Sequence, residues 1–92
     1  MLNELFGPSL HISILDMFLE NNDELMNLRE IARRVDKNPG SVYRVLPTLL
    51  ENDFIEQVPI SQSSNVYRLK KENKIVKLII EFNNKLKDIL EE

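Results

Sequence analysis

Hydrophobic residues recur at helical spacing in four parts of the chain. Between residues 9 and 21 the apolar positions follow one another at intervals of three and four, which predicts an amphipathic helix. The same spacing returns over residues 27–35, over residues 39–52 and from about residue 73 to the end. The stretches "ENNDE" and "DKNPGS" between these segments are rich in turn-forming residues. The pattern therefore predicts four helices joined by short turns.

The helical spacing of apolar residues is interrupted between the third and the fourth predicted helix. The stretches "FIEQVPI" and "VYRLK" are rich in β-branched and aromatic residues, which favour strands. The polar stretch "SQSSN" between them is typical of a hairpin loop. We therefore predict the order helix, helix, helix, hairpin, long helix, which is a mainly α fold with a small β-hairpin.

Local signals mark where three of these helices begin. Asn27 stands three residues before Glu30, which is the spacing of a capping box. Asn38 can cap the next helix, and Pro39 suits its first position because a first-turn residue needs no N–H partner. Pro8 suits the first turn of the first predicted helix for the same reason.

The third predicted helix has one apolar and one polar face. Steps of 100° per residue bring Val45, Leu46 and Leu49 to the side of Val42, which predicts the side that faces the core. Pro47 lies on the opposite side, where its ring crowds the carbonyl of an earlier residue. A bend in this helix and a tolerated surface proline are both consistent with that position. The other outward and flanking residues are Gly40, Ser41, Tyr43, Arg44, Thr48 and Glu51.

Apolar residues on the first and last predicted helices exceed what a 92-residue monomer needs for its core. The last helix carries them in steps of 4, 3, 4 and 3, which is a heptad seam. Burial across a two-fold axis would cover both surfaces, so we predict a homodimer. The alternative is a monomer whose last helix packs back on its own core. The residues assigned to the interface are Leu10, Ile14, Phe18, Ile75, Ile79, Phe82, Leu86 and Ile89.

Charge is distributed in bands, although the formal net charge of the chain is −3. Residues 27–49 hold five basic side chains against two acidic ones, and residues 68–77 hold five against one. Binding to a polyanion depends on the local field, so two basic bands are compatible with a nucleic-acid partner. Solvated helix faces would give the same pattern.

Several classes of site lack the residues that they need. The chain has no cysteine, which excludes disulfides, thiolate metal sites and a thiol nucleophile. His11 is the single histidine, so a metal ion would find no convergent set of ligands. The sequence shows neither a nucleophile paired with a base nor a glycine-rich phosphate loop. We therefore expect neither an enzyme nor a bound cofactor.

The sequence also indicates no association with a membrane. The N-terminal residues do not have the pattern of a signal peptide, and no apolar run reaches the roughly eighteen residues that span a bilayer. We expect a cytoplasmic protein with no membrane partner and no evident small-molecule effector.

Three stretches of the chain resemble a group of small archaeal winged helix-turn-helix regulators, akin to the ArsR and MarR types. These stretches are "LFG", "NLREIARRVDKNPGSVYRVLPTLLENDFIE" and "YRLKKENKIVKLI". The resemblance implies a single winged helix-turn-helix domain over residues 1–92. Within it, the helix-turn-helix lies at about 27–52, the wing at about 54–70 and a C-terminal dimerisation helix at about 73–91. The resemblance also implies a homodimer that binds double-stranded DNA sequence-specifically and regulates transcription.

The same resemblance implies which residues meet the DNA. The recognition helix, at about 39–52, enters a major groove, and the wing lies on the flanking backbone. Arg44 is the expected base reader, because an arginine can donate two hydrogen bonds to guanine. The residues carried over as DNA contacts are Arg33, Arg34, Lys37, Asn38, Ser41, Tyr43, Arg44, Thr48, Gln62, Asn65, Arg68 and Lys70.

Two other functions stay open at the level of the sequence. The acidic total and the uncharged stretch "SQSSN" favour a winged helix that contacts protein within a transcription complex. The third interpretation is an accessory protein that binds DNA without sequence preference.

Overall fold

The computed structural model of the protein describes residues 1–7, 9–61 and 64–92, in which four helices precede one hairpin and a fifth helix follows it. The predicted fold class is confirmed, because the described elements are helical apart from one two-stranded antiparallel sheet. None of the described helices is long and apolar enough to cross a membrane. The elements are α1 (Leu2–Phe6), α2 (Leu10–Glu20), α3 (Leu28–Arg34), α4 (Pro39–Glu51), β1 (Ile55–Ser61), β2 (Ser64–Leu69) and α5 (Lys74–Leu90).

Helix α1 is an element that the periodicity of the sequence did not predict. It is held on α2 by the carboxylate of Asp16, which accepts hydrogen bonds from the backbone N–H groups of Leu2 and Asn3, both at 2.9 Å. The Leu2 side chain is buried beneath the same turn. Gly7 ends the helix with a φ of 87°, a conformation that favours glycine. The expected place of Pro8 in the next helix lies outside the described residues.

The predicted caps of α3 and α4 are confirmed. The Asn27 side chain accepts a hydrogen bond from the Glu30 N–H at 2.8 Å, and the Asn38 side chain accepts one from the Ser41 N–H at 2.9 Å. Pro39 occupies the first turn of α4, as expected. The Glu30 carboxylate does not complete a capping box but accepts hydrogen bonds from two arginines of its own helix.

The hydrophobic core lies between α2, α3, α4 and the base of the hairpin. The predicted inner face of α4 is confirmed, because Val42, Val45, Leu46 and Leu49 are all buried. The largest fully buried side chains are Phe18, Ile14, Met26, Ile31, Ile55, Leu69, Val42 and Val76.

The assignment of Ile14 and Phe18 to a dimer interface was wrong. Both side chains are 0% exposed within one protomer, so neither is available to a second subunit. The physical reason is the position of α2, which packs against α1, α4 and the hairpin and needs a broad apolar face to fill the core. Leu10 is only partly buried and packs at the edge of this core.

Helix α5 leaves most of its apolar residues uncovered. Of its 17 residues, only Val76 and Asn83 are buried. Three residues of the predicted seam, Ile75, Phe82 and Ile89, are 55%, 44% and 61% exposed. The other two, Ile79 and Leu86, are partly buried. The seam therefore lies at the edge of the contact between α5 and the core, with Ile79 packed against the core and three residues exposed.

The hairpin is fixed against α3 by a short additional bridge. Met26, which precedes α3, exchanges two backbone hydrogen bonds with Tyr67 of β2, at 2.9 and 2.7 Å. Strands β1 and β2 pair in register from Ile55 opposite Leu69 up to Pro59 opposite Asn65. The pairing then shifts by one residue on β1 before Ser61 meets Ser64. The hairpin thus stands beside α3 and α4 as one body.

Candidate nucleic-acid interface

The outer face of α4 carries side chains that the sequence assigned to DNA contact, among them the expected base reader Arg44. Tyr43, Arg44 and Thr48 are exposed, and Ser41 is partly exposed at the start of the helix. Lys37 and Asn38 are exposed in the turn that precedes it. The fold therefore brings these six residues to one side of the molecule, where a nucleic acid could reach them.

Pro47 does not interrupt α4. The helix runs from Pro39 to Glu51 with Pro47 inside it and exposed. Its ring removes one backbone N–H from the outer face, where the loss is cheapest because the neighbouring carbonyl is open to water. The recognition helix consequently keeps its full length in spite of the proline.

The two arginines at the end of α3 are already neutralised by carboxylates. Arg33 binds Glu30 with 2.8 and 2.5 Å contacts, and Arg34 binds Glu30 at 2.6 Å and Glu24 at 2.8 Å. Hydrogen bonds from Arg33 and then from Arg34 lower the pKa of Glu30 to about 2. These carboxylates compete with any phosphate group for the two guanidinium groups.

The basic residues at the base of the hairpin are paired in the same way. Arg68 of β2 forms an ion pair with Glu56, its cross-strand neighbour on β1. Lys70 Nζ lies 3.0 Å from the Asp53 carboxylate, and this hydrogen bond is the main reason that the pKa of Lys70 is raised. Two of the residues that the resemblance assigned to DNA contact therefore carry their own counterions.

Cations without a carboxylate partner lie elsewhere. Of the three that lie on or beside α3 and α4, Lys37 and Arg44 were assigned to the site from the sequence, and Arg29 was not. Arg29 is exposed in the first turn of α3, and its only sequence signal was its place in the basic band. Over the described ranges, the basic side chains that make no ion pair are Arg29, Lys37, Arg44, Lys74 and Lys77.

An open cleft of about 510 Å³ lies between the hairpin, the start of α3 and Tyr43 of α4. Among the described residues of its lining, Arg29 alone is charged, so this part of the cleft presents a positive charge without a carboxylate beside it. Burial raises the pKa of Tyr67, and the neighbouring Tyr43 adds to the shift. A sugar-phosphate strand has the apolar and anionic parts that such a cleft can hold. The described residues that line it are Asn27, Leu28, Arg29, Tyr43, Ile60, Ser64, Asn65, Val66 and Tyr67.

One residue of the expected DNA contact is not among those that the structure describes. Gln62, which was assigned to the tip of the wing, lies outside the described residues. Within the part of the chain that the structure describes, no three His, Cys, Asp or Glu side chains are grouped so that they could hold a metal ion.

A second groove, of about 520 Å³, lies on another side of the protein between α1, α2 and α5. Every residue in its lining is apolar. Phe6, Leu78 and Phe82 are the exposed members at its mouth, and the exposed seam of α5 continues from it. The residues that line this apolar groove are Leu2, Phe6, Ile12, Leu15, Leu78, Ile79 and Phe82.

Comparison with known proteins places this arrangement among transcription regulators. The sequence profile of the IclR helix-turn-helix domain matches residues 12–59. AF1382 from Archaeoglobus fulgidus is 16% identical, with a TM-score of 0.70 over 100% of this chain and 99% of that one. The homodimeric winged helix-turn-helix DNA-binding domain of Mb0332 from Mycobacterium bovis, a possible ArsR-family transcriptional regulator, is 16% identical. Its TM-score is 0.64, over 86% of this chain and 68% of that one.

A third similar structure is longer than this chain. The ferric uptake regulator from Francisella tularensis is 20% identical, with a TM-score of 0.65 over 74% of this chain, which spans 58% of its length. At these identities the likeness concerns the fold, which is the winged helix-turn-helix. A search of curated proteins finds no significant relative.

Proposed function

Because the chain belongs to the family of the IclR helix-turn-helix domain, we propose that it binds double-stranded DNA sequence-specifically as a homodimeric transcriptional regulator. The family and the fold are those of transcription regulators, which are generally not enzymes. The observation that carries the proposal is the outer face of α4, where Arg44 is exposed and makes no ion pair among the described residues. The archaeal subgroup stays a prediction.

In this proposal, different residues contact the base edges and the phosphates. Arg44 lies midway along α4, so its guanidinium can reach the edge of a guanine when α4 occupies a major groove. Lys37 precedes α4 and Arg29 opens α3, so each can meet a phosphate on a backbone that borders that groove. The ion-paired Arg33, Arg34, Arg68 and Lys70 contribute less, because a neighbouring carboxylate offsets the positive charge of each.

The proposal of a homodimer is supported by the surfaces that one protomer leaves uncovered. The apolar groove and the exposed seam of α5 form one continuous apolar surface across α1, α2 and α5. Large apolar patches on a soluble protein mark interaction sites. A two-fold axis would bury this surface on both protomers and present two α4 helices to half-sites about one helical turn apart. Ile75, Phe82 and Ile89 stay assigned to this interface.

Arg44→Ala is expected to bring a selected DNA site and a scrambled site closer in affinity. A lost arginine–guanine contact reduces discrimination by about 1–3 kcal/mol, whereas a lost phosphate contact weakens both sites alike. Lys37→Ala should show that second behaviour and reduce the slope of log affinity against log salt by about 0.9. Fluorescence anisotropy on both DNAs at several salt concentrations measures all of these quantities.

Arg33→Ala is the matched control, since Arg33 is exposed but paired with Glu30. It should change neither the discrimination nor the salt slope appreciably. Should Arg44→Ala weaken both DNAs equally, Arg44 is an anchor and base reading must come from other residues of α4. If neither Arg44→Ala nor Lys37→Ala changes binding, α4 does not face DNA, and the winged helix contacts protein instead.

A further inference from the structure

The end of the hairpin carries a β-bulge at an exposed isoleucine. Pro59 pairs with Asn65 and Ser61 pairs with Ser64, so Ile60 is an extra residue on β1 without a partner on β2. A bulge re-aims the side chain of the extra residue and twists the strand locally. The Ile60 side chain is 66% exposed, although isoleucine is a residue that proteins prefer to bury.

Ile60 lies between an uncharged loop and a cleft whose described lining contains one cation. Ile60 lines the cleft between the hairpin and α4, with Tyr43 on the opposite wall and Arg29 at its α3 side. The loop "SQSSN" carries no charged residue. A loop of this composition gains little from the charge of the phosphate backbone. Ile60, the exposed apolar side chain beside it, can contact DNA only through shape and apolar surface.

The relative placement of α4 and the hairpin decides which part of DNA Ile60 can meet. When α4 lies in a major groove, the next feature beside it is one sugar-phosphate strand, followed by the minor groove. The cleft of about 510 Å³, with its one unpaired guanidinium, is the space for that strand. The end of the hairpin, on the far side of the cleft, then faces the minor groove.

We propose that Ile60 is an apolar minor-groove contact, which favours an easily unstacked base step beside the major-groove site and bends the DNA there. The proposal rests on the DNA-binding function given above. Isoleucine is one of the residues that can act as a wedge between base pairs in the minor groove, and pyrimidine–purine steps such as TA deform most readily. Sequence preference at the flank of the site thus comes from the flexibility of the DNA and not from hydrogen bonds to base edges.

Ile60→Ser tests this inference on the full-length protein. The variant removes apolar surface at an exposed position and leaves every charge in place. We expect affinity for the selected site to fall about 10-fold, which corresponds to the loss of one good contact, with an unchanged salt slope. Replacement of the flanking TA step by GC should weaken the wild-type protein and leave Ile60→Ser unaffected. Energy transfer between dyes at the two DNA ends should report less bending with the variant.

Two further variants separate the proposed contact from a general loss of apolar surface. Leu25→Ser removes an exposed leucine that lies outside the cleft, and it should bind and bend DNA as the wild type does. Ile60→Leu keeps the apolar volume and should retain most of the bending.

The outcomes distinguish this inference from the proposed function beneath it. If the wild type binds the selected site but Ile60→Ser bends it equally and keeps its preference for TA, the inference is overturned and DNA binding stands. If the wild type binds no DNA under low-salt conditions, the proposed function and this inference both fail.

Discussion

Phe82→Glu is expected to turn the dimer into folded monomers and to abolish high-affinity binding to a two-fold-symmetric DNA site. Phe82 lies at the mouth of the apolar groove and is 44% exposed in one protomer. A two-fold interface contains every substituted residue twice, so both the lost apolar burial and the buried carboxylate count twice. If each substituted copy weakens the interface by about 1.4 kcal/mol or more, the dissociation constant of the dimer should rise at least about 100-fold. Sedimentation equilibrium measures the change.

The control for this substitution is Asn84→Glu on the same helix. Asn84 is exposed and lies outside the seam and the lining of the apolar groove, so the same added charge should leave the dimer intact. Circular dichroism should show helix content close to the wild type for both variants. A Phe82→Glu protein that stays folded and dimeric would mean that the subunits meet through another surface.

Phe18→Ala should cause the largest loss of stability of any substitution considered for this protein. Phe18 is 0% exposed in the core, and removal of a buried phenyl ring costs about 3–5 kcal/mol. A domain of this size has a free energy of unfolding of only about 5–15 kcal/mol, so the variant should be partly unfolded at elevated temperature. Urea titrations followed by circular dichroism give the difference from the wild type.

Phe6→Ala is the comparison for Phe18→Ala. It also replaces phenylalanine by alanine, but in the lining of the apolar groove. Its effect on unfolding should shrink when the protein is diluted until it is monomeric, since an interface residue stabilises only the dimer. The loss caused by Phe18→Ala should persist at every concentration. A loss that disappears on dilution would return Phe18 to the interface to which the sequence had assigned it.

The main elements of the fold could be predicted because each one is long enough to show a period. The caps Asn27 and Asn38 and the inner face of α4 are local properties of the sequence, and the structure has them as predicted. Helix α1 could not be found in this way, because five residues do not establish a helical period. It is held by Asp16, which is distant in the sequence.

The broad apolar face of α2 gave the wrong prediction for a different reason. The pattern identifies residues that avoid water, but it does not say whether the same chain or a second copy covers them. In the structure, Ile14 and Phe18 are covered by the protomer itself, whereas Ile75 and Phe82 on α5 are not.

The sequence could predict which residue types form the candidate site, but not which of its cations are paired with carboxylates. Arg34 reaches Glu24 in the α2–α3 connection, and Arg68 reaches Glu56 across the hairpin. These partners come together only when the chain folds, so the composition of a basic band cannot reveal which cations are neutralised. The bulge at Ile60 likewise depends on a register between two strands that the sequence does not specify.

Selection of DNA fragments from a random pool by the wild-type protein tests the central claim most directly. If two α4 helices of a dimer read DNA, the enriched fragments should share a two-fold-symmetric motif with half-sites about one helical turn apart. The folded protein should then bind that motif more tightly than a scrambled sequence at moderate salt. Failure of the folded dimer to enrich any motif, even at low salt, would contradict sequence-specific DNA binding.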